Sequence, residues 1–331
     1  MKKPIYNFFI LMLIILLPSC ANYKVQYDSN NSDWKTKTNE YTSEKLEHTL
    51  FLIGDAGNSV DADTPTPALA LLQKKLAEAN ENSHVVFLGD NIYPYGMPPK
   101  SEDEDRLKAE ARLDAQLNIL KDFKGEPIFL PGNHDWIRHG LKGIKRQEKY
   151  IEKHLNAGIK EEDNWKNYFI PDNGCGGPEI IEVNNNLAYV IVDSNWYLRD
   201  WDKDVAINDG CDAKNRKVFD FLFEESLRKN RNKNVVVLMH HPLNSYGPHG
   251  GKYAAKMHLF PLTELNESLY IPLPGLGTLA AIGRGTIGSR QDLAHPGYRA
   301  MKKSMLLGAG KNGRFIFAAG HEHNLQYIEK D

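Results

Sequence analysis

An α/β fold is predicted for this chain by three observations. Five apolar runs rich in β-branched or Phe residues, TLFLI, HVVFL, EPIFL, NVVVL and RFIFAA, read as buried strands. Amphipathic stretches with helical spacing alternate with them, the pattern of layered sheets and helices. Each run ends in a short polar island: GDAGN at 54–58, GDNIY at 89–93, GNHD at 132–135, MHH at 239–241 and GHEH at 320–323. The carboxyl ends of strands are where open α/β sheets hold their ligands.

In chain order, residues 1–19 read as an export signal. Lys2 and Lys3 give a positive start, and Ile5 to Leu17 is an apolar core interrupted by Asn7. That core is short for a transmembrane helix. LPSC at 17–20 resembles a bacterial lipobox, which implies lipidation of Cys20 and a membrane anchor. An uncleaved anchor and an ordinary cleavage site are the alternatives. Residues 20–47, rich in Asn, Ser, Thr, Lys and Tyr without a period, are expected to be a flexible tether. The folded domain is expected at 48–331, its first strand starting near Thr49.

Helices are expected over Pro67–Ala79, Glu104–Phe123 (with Leu107, Leu113, Leu117 and Leu120 as its apolar side), Leu141–Leu155 and Lys214–Lys229. Two further strands fit 179–183 and 187–193. Residues 243–300 are apolar but broken by Gly and Pro, and read as an insertion without a long helix or strand. NLQYI near the end is strand-like, and a complete domain is expected to continue beyond Asp331. With lipidation at Cys20, Cys175 and Cys211 remain, in the loops NGCGG and NDGCD. Two cysteines in an exported chain suggest a disulfide, and two separate thiols are the alternative. A net charge of −2 gives no basic field for a nucleic acid backbone.

The five islands bring Asp, Tyr, Asn and His to strand ends, where they can converge on two metal ions. In this order they resemble the metallophosphoesterase superfamily. Where the superfamily has DxH, this chain has Asp55-Ala56-Gly57, and the next island gains Tyr93 in Asp90-Asn91-Ile92-Tyr93. That exchange, with GHEHNLQY at 320–327, resembles the purple acid phosphatase branch. The resemblance implies an αββα sandwich of two mixed sheets flanked by helices. It implies that Asp55, Tyr93 and His323 bind one metal, that Asn133, His240 and His321 bind the other, and that Asp90 bridges them. Fe(III) is implied at the Tyr93 site, since phenolate is a hard anionic donor, with Zn(II), Fe(II) or Mn(II) at the second.

His134 is the candidate to contact phosphate and protonate the leaving group, and Asp135 to orient a histidine from behind. His241 and His249 are candidate substrate contacts. The expected activity is hydrolysis of phosphomonoesters, on small molecules or phosphoproteins, by an exported, lipid-anchored protein of the bacterial envelope. A phosphodiesterase or nucleotidase on the same fold is the second reading, and a non-catalytic envelope-binding lipoprotein the third.

Overall fold

A computed structural model describes residues 46–160, 165–199, 210–264, 266, 268–310 and 315–329. The chain divides into two compact units, Met1–Glu47 and His48–Asp331, and every element below belongs to the second. The expected signal, the lipidated Cys20 and nearly all of the tether lie outside the described residues.

Strands β1 (Thr49–Ile53), β2 (Ser83–Leu88) and β3 (Glu126–Leu130) form a parallel sheet in that order. Strands β4 (Glu179–Asn184), β5 (Leu187–Ile191), β6 (Asn234–Leu238) and β7 (Phe315–Ala318) form a second sheet, with β4 antiparallel to β5 and the rest parallel. Of the two mixed sheets expected, one is therefore wholly parallel among the described residues.

Side chains alternate along each strand, so each sheet has two faces to cover. Val86, Leu88, Ile128 and Leu130 of the first sheet join Tyr189, Ile191, Val236 and Leu238 of the second in one core layer. The opposite faces, carrying Val85, Phe87, Phe129, Val190, Val235 and Val237, pack under helices. The result is an α/β sandwich of two sheets flanked by helices. Because both faces are covered, β2 and β6 read as continuous apolar runs.

The helices follow from their caps and periods. In α1 (Pro67–Ala77), Pro67 stands in the first turn, the Thr66 hydroxyl accepts from Leu69 N, and Leu69, Leu72 and Leu76 are buried. Helix α2 (Asp103–Asn118) starts with three acidic residues, which suit the positive end of its dipole. It buries Leu113 and Leu117, while Leu107 is exposed, unlike the sequence reading. Short α3 (Asn133–Trp136) follows β3 directly, and α4 (Gly140–Leu155) buries Ile144 and Ile151. Asp193 caps α5 (Ser194–Leu198) by accepting from Trp196 N at 2.9 Å. Asn215 caps α6 (Arg216–Lys229), which buries Phe219, Phe223 and Leu227. Cys175 and Cys211 form a disulfide, Cα to Cα 5.5 Å.

Two expectations fail near the end. The 243–300 segment carries α7 (Ala255–Leu259), α8 (Pro274–Thr286) and the start of α9 (Pro296–Gly310). Glycine costs a helix about 1 kcal/mol per residue. In α8, Gly277 gains close packing instead: a Cβ there would lie 2.4 Å from His258 O. NLQYI does not form a strand. It pairs with no strand among the described residues, and Leu325 and Tyr327 are exposed.

Candidate metal centre

The motif strands β1, β2, β3, β6 and β7 run parallel to their sheet neighbours, so their islands emerge at carboxyl ends. The loops then turn sharply. Asp55, Asp90, His321 and His323 all have positive φ, between 53° and 76°. Arg138 and Asn173 are the other described non-glycine residues of this kind. Left-handed backbone is costly for such residues and collects at functional sites.

Two donor clusters result. In the first, the Tyr93 hydroxyl lies 3.1 Å from Asp55 Oδ1, 3.1 Å from Asp90 Oδ2 and 2.9 Å from His323 Nε2. His323 Nε2 is 3.4 Å from Asp55 Oδ1. In the second, His240 Nε2 lies 2.9 Å from Asn133 Oδ1, 3.2 Å from His321 Nδ1 and 3.4 Å from Asp90 Oδ2. Asp90 Oδ2 thus belongs to both clusters. All seven residues expected to hold metal come together.

Donor spacing tests whether metal ions fit. Ligands at about 2.0–2.2 Å from an ion stand roughly 2.8–3.6 Å from one another. The spacings above fall in that range. The other ring nitrogens are already fixed: His240 Nδ1 donates to Leu88 O at 2.8 Å and His321 Nε2 to Gln291 O at 2.9 Å. Nε2 of His240 and Nδ1 of His321 are left as lone-pair donors. Orientation by a carbonyl in this way is typical of metal-binding imidazoles.

The electrostatics also suit cations. Burial, then the Asp90 and Asp55 carboxylates, hold the Tyr93 phenol far above its usual range. Only a cation in this cluster offsets those charges and makes phenolate accessible. Burial raises the Asp90 carboxyl, but His240 and His134 outweigh it and hold it below the usual range. His240 moves the other way: burial lowers it, yet Asp90 and Asp55 bring it up to about 9. His321 is pushed well down by burial and by His241, His240 and His249.

Gly57 occupies the place where the superfamily pattern has a histidine. Its N–H donates to Asp90 O and its carbonyl accepts from Tyr93 N, each at 3.0 Å. A Cβ there would lie 2.2 Å from the Asn91 carbonyl carbon. No side chain fits, and Tyr93 enters the cluster from the neighbouring loop.

Among the remaining candidates, His134 is half-buried with Nδ1 at 2.8 Å from Pro94 O and its ring 4.5 Å from that of Tyr93. Asp135 departs from expectation. Its carboxylate accepts from Asn91 N, Ile92 N and Gly132 N at 2.8–3.2 Å and from the Asn91 amide, and none of its hydrogen bonds reaches a histidine. It ties the second and third motif loops together instead. Burial, then Asp90, push its carboxyl up to about 7.

His241 is fully buried, with Nδ1 at 2.8 Å from Ser194 Oγ and Nε2 against the Gln291 side chain. Both ring nitrogens have protein partners, so the expected contact with phosphate is not available in this arrangement. One of them does lie within 4.8 Å of donors on His240 and His321. His249 Nδ1 is 2.8 Å from Asp292 Oδ1, and its ring lies 3.9 Å from that of His321. Asp292, Gln291 and Ser194 take part without belonging to any motif. Only proximity in the fold reveals them.

The calcineurin-like phosphoesterase family model matches residues 48–271, which takes in four of the five islands. No curated protein matches the chain significantly. The match covers more than half of the chain, which therefore belongs to the calcineurin-like phosphoesterase family, whose members bind two metal ions.

Proposed function

We propose that this phosphoesterase is a phosphomonoesterase of the purple acid phosphatase type. Asp55, Tyr93 and His323 would hold Fe(III); Asn133, His240 and His321 would hold Zn(II), Fe(II) or Mn(II); Asp90 would bridge them. The observation that carries this reading is the Tyr93 hydroxyl seated between two carboxylates and an imidazole. When bound, the ions supply an acidified water and Lewis-acid polarisation of the phosphoryl group.

The protein residues do the rest. A carbonyl oxygen only accepts, so the Pro94 contact puts a proton on His134 Nδ1. Nε2 is then the nitrogen that delivers a proton to the leaving alcohol. His249 Nδ1 is likewise held by Asp292, which leaves Nε2 as the ring nitrogen that meets a phosphate oxygen. The substrate is a small phosphate ester or a phosphoprotein. The N-terminal sequence supports export to the bacterial envelope with a lipid on Cys20, and the Cys175–Cys211 disulfide suits an oxidising compartment.

The test is turnover of a chromogenic phosphomonoester and the matching diester by the metal-loaded chain. Monoester turnover at acid pH is expected, and Asp90→Asn lowers it by about three orders of magnitude, the scale of losing several kcal/mol of charge stabilisation. A preference for the diester moves the assignment to phosphodiesterase. Metal binding without turnover of either ester leaves a binding protein.

A further inference from the structure

Helix α8 is built inside out. It buries Gly277 and Ala281 and turns Leu276, Leu279 and Ile282 outward, 62%, 66% and 55% exposed. The inward face has to be small, because a Cβ at 277 would lie 2.4 Å from His258 O and 2.6 Å from Met257 O. The large apolar side chains therefore take no part in seating the helix. Exposed Tyr270, Ile271 and Ile287 extend the patch. No Asp or Glu occurs between residues 268 and 291, where the only charges are Arg284 and Arg290. Lys256 Nζ stands 5.0 Å from the Tyr270 ring centre.

We propose that this face docks on the surface of a phospholipid bilayer. Scattered exposed apolar residues are ordinary, but a contiguous patch on one helix face marks an interaction site. The helix is too short to cross a membrane, and no helix among the described residues is long and apolar enough to do so. Its geometry suits lying in the interface, with Leu and Ile among acyl chains. Tyr270 and Lys256 have the amphipathic form that places a ring or cation at headgroup level. The lack of acidic residues removes repulsion from anionic lipids.

The choice of a bilayer over a protein comes from the chain that precedes the fold. It contains the apolar run Ile5–Leu17 and Cys20. The inference rests on the proposed anchor at Cys20. From Cys20 to His48 the chain reaches at most about 100 Å, so the patch never leaves the neighbourhood of the membrane. A tethered surface needs little affinity of its own. Arg284, on the same helix, bonds Asp292 at 3.1 Å, and Asp292 holds His249. Docking therefore brings the rim of the metal centre close to the lipid surface.

The test places a polarity-sensitive fluorophore at Leu279→Cys in the full chain with Cys20→Ser, the other two cysteines being disulfide-bonded, and an N-terminal His tag binds the chain to a nickel-chelating lipid included in every vesicle, in place of the proposed anchor. A second sample carries the label at Lys121→Cys, an exposed position on another part of the fold. Vesicles of phosphatidylethanolamine and phosphatidylglycerol, with and without brominated acyl chains, are then added. Docking shifts the emission at 279 to the blue and quenches it with brominated lipid, and leaves 121 unchanged. Leu276→Ser with Ile282→Ser abolishes most of the shift while the chain still floats with the vesicles. A water-exposed label at 279 on vesicle-bound chain overturns the proposal. So does a label shielded without vesicles in a dimer, which makes the patch a protein interface. Turnover of a soluble phosphomonoester by the same samples reads the catalytic proposal separately.

Discussion

His134 has its chemistry set by one backbone contact. Pro94 O fixes the proton on Nδ1, and the ring packs beside that of Tyr93. Nε2 is then the ring nitrogen turned away from this contact, the one through which a protonated ring passes its proton on. Positioned acids of this kind contribute about 10²–10⁴-fold to a rate. His134→Ala is expected to slow turnover of an alkyl phosphate by that range and of a nitrophenyl phosphate by less, because a good leaving group needs no proton. Equal slowing of both esters would restrict His134 to phosphate binding. Asp135, its neighbour, shows the opposite case: its hydrogen bonds with Asn91, Ile92 and Gly132 organise two loops and leave it no catalytic contact.

At the level of elements, the centre depends on how closely the motif loops pass one another. Gly57 is one of the tight crossings, with Asp90 and Tyr93 hydrogen-bonded on either side. Gly57→Ala forces a methyl against the Asn91 carbonyl, and overpacking of this kind costs about 1–3 kcal/mol. The loop carrying Asp90 and Tyr93 is the part that must shift. Loss of bound metal, read by elemental analysis, is expected to exceed what the fall in melting temperature alone explains. Full metal content in a destabilised variant would show that the crossing serves stability only. The motif loops were legible in the sequence because ligand chemistry is concentrated at strand ends, five residues or fewer at a time. Asp292 and Gln291 were not, because they come from an insertion and meet His249, His241 and His321 only through folding. Helix α8 was hidden by its glycines, which read as breakers although Gly277 is where two elements touch. Leu107 was assigned to the wrong side of α2 because its buried stripe runs through Ala109, Leu113, Gln116 and Leu117, and small or polar members do not announce it.

Over the whole molecule, ionisable groups outside the metal motifs tie stability to acidity. Glu148 of α4 accepts from Asn173 N, and Glu179 of β4 accepts from Asp172 N, each at 2.9 Å. Together they hold the turn that leads to the Cys175 disulfide. Burial pushes both carboxyls up to about 7, against the bonds from Asn173 and Asp172. In the unfolded chain a Glu titrates near 4.3. Between those values the folded protein binds more protons than the unfolded one, so stability falls as pH rises through the window. The contribution is full below about pH 4 and is lost by about pH 7, the direction suited to a protein proposed to work in acid. Urea unfolding at pH 5 and pH 7.5 checks it. Wild type is expected to lose more stability between the two than the Glu148→Gln, Glu179→Gln double variant, in which the hydrogen bonds persist but nothing titrates. An identical loss in both proteins would mean that neither carboxyl is raised, and that the pH response of this fold comes from other groups, the buried Asp135 and Asp193 carboxyls among them.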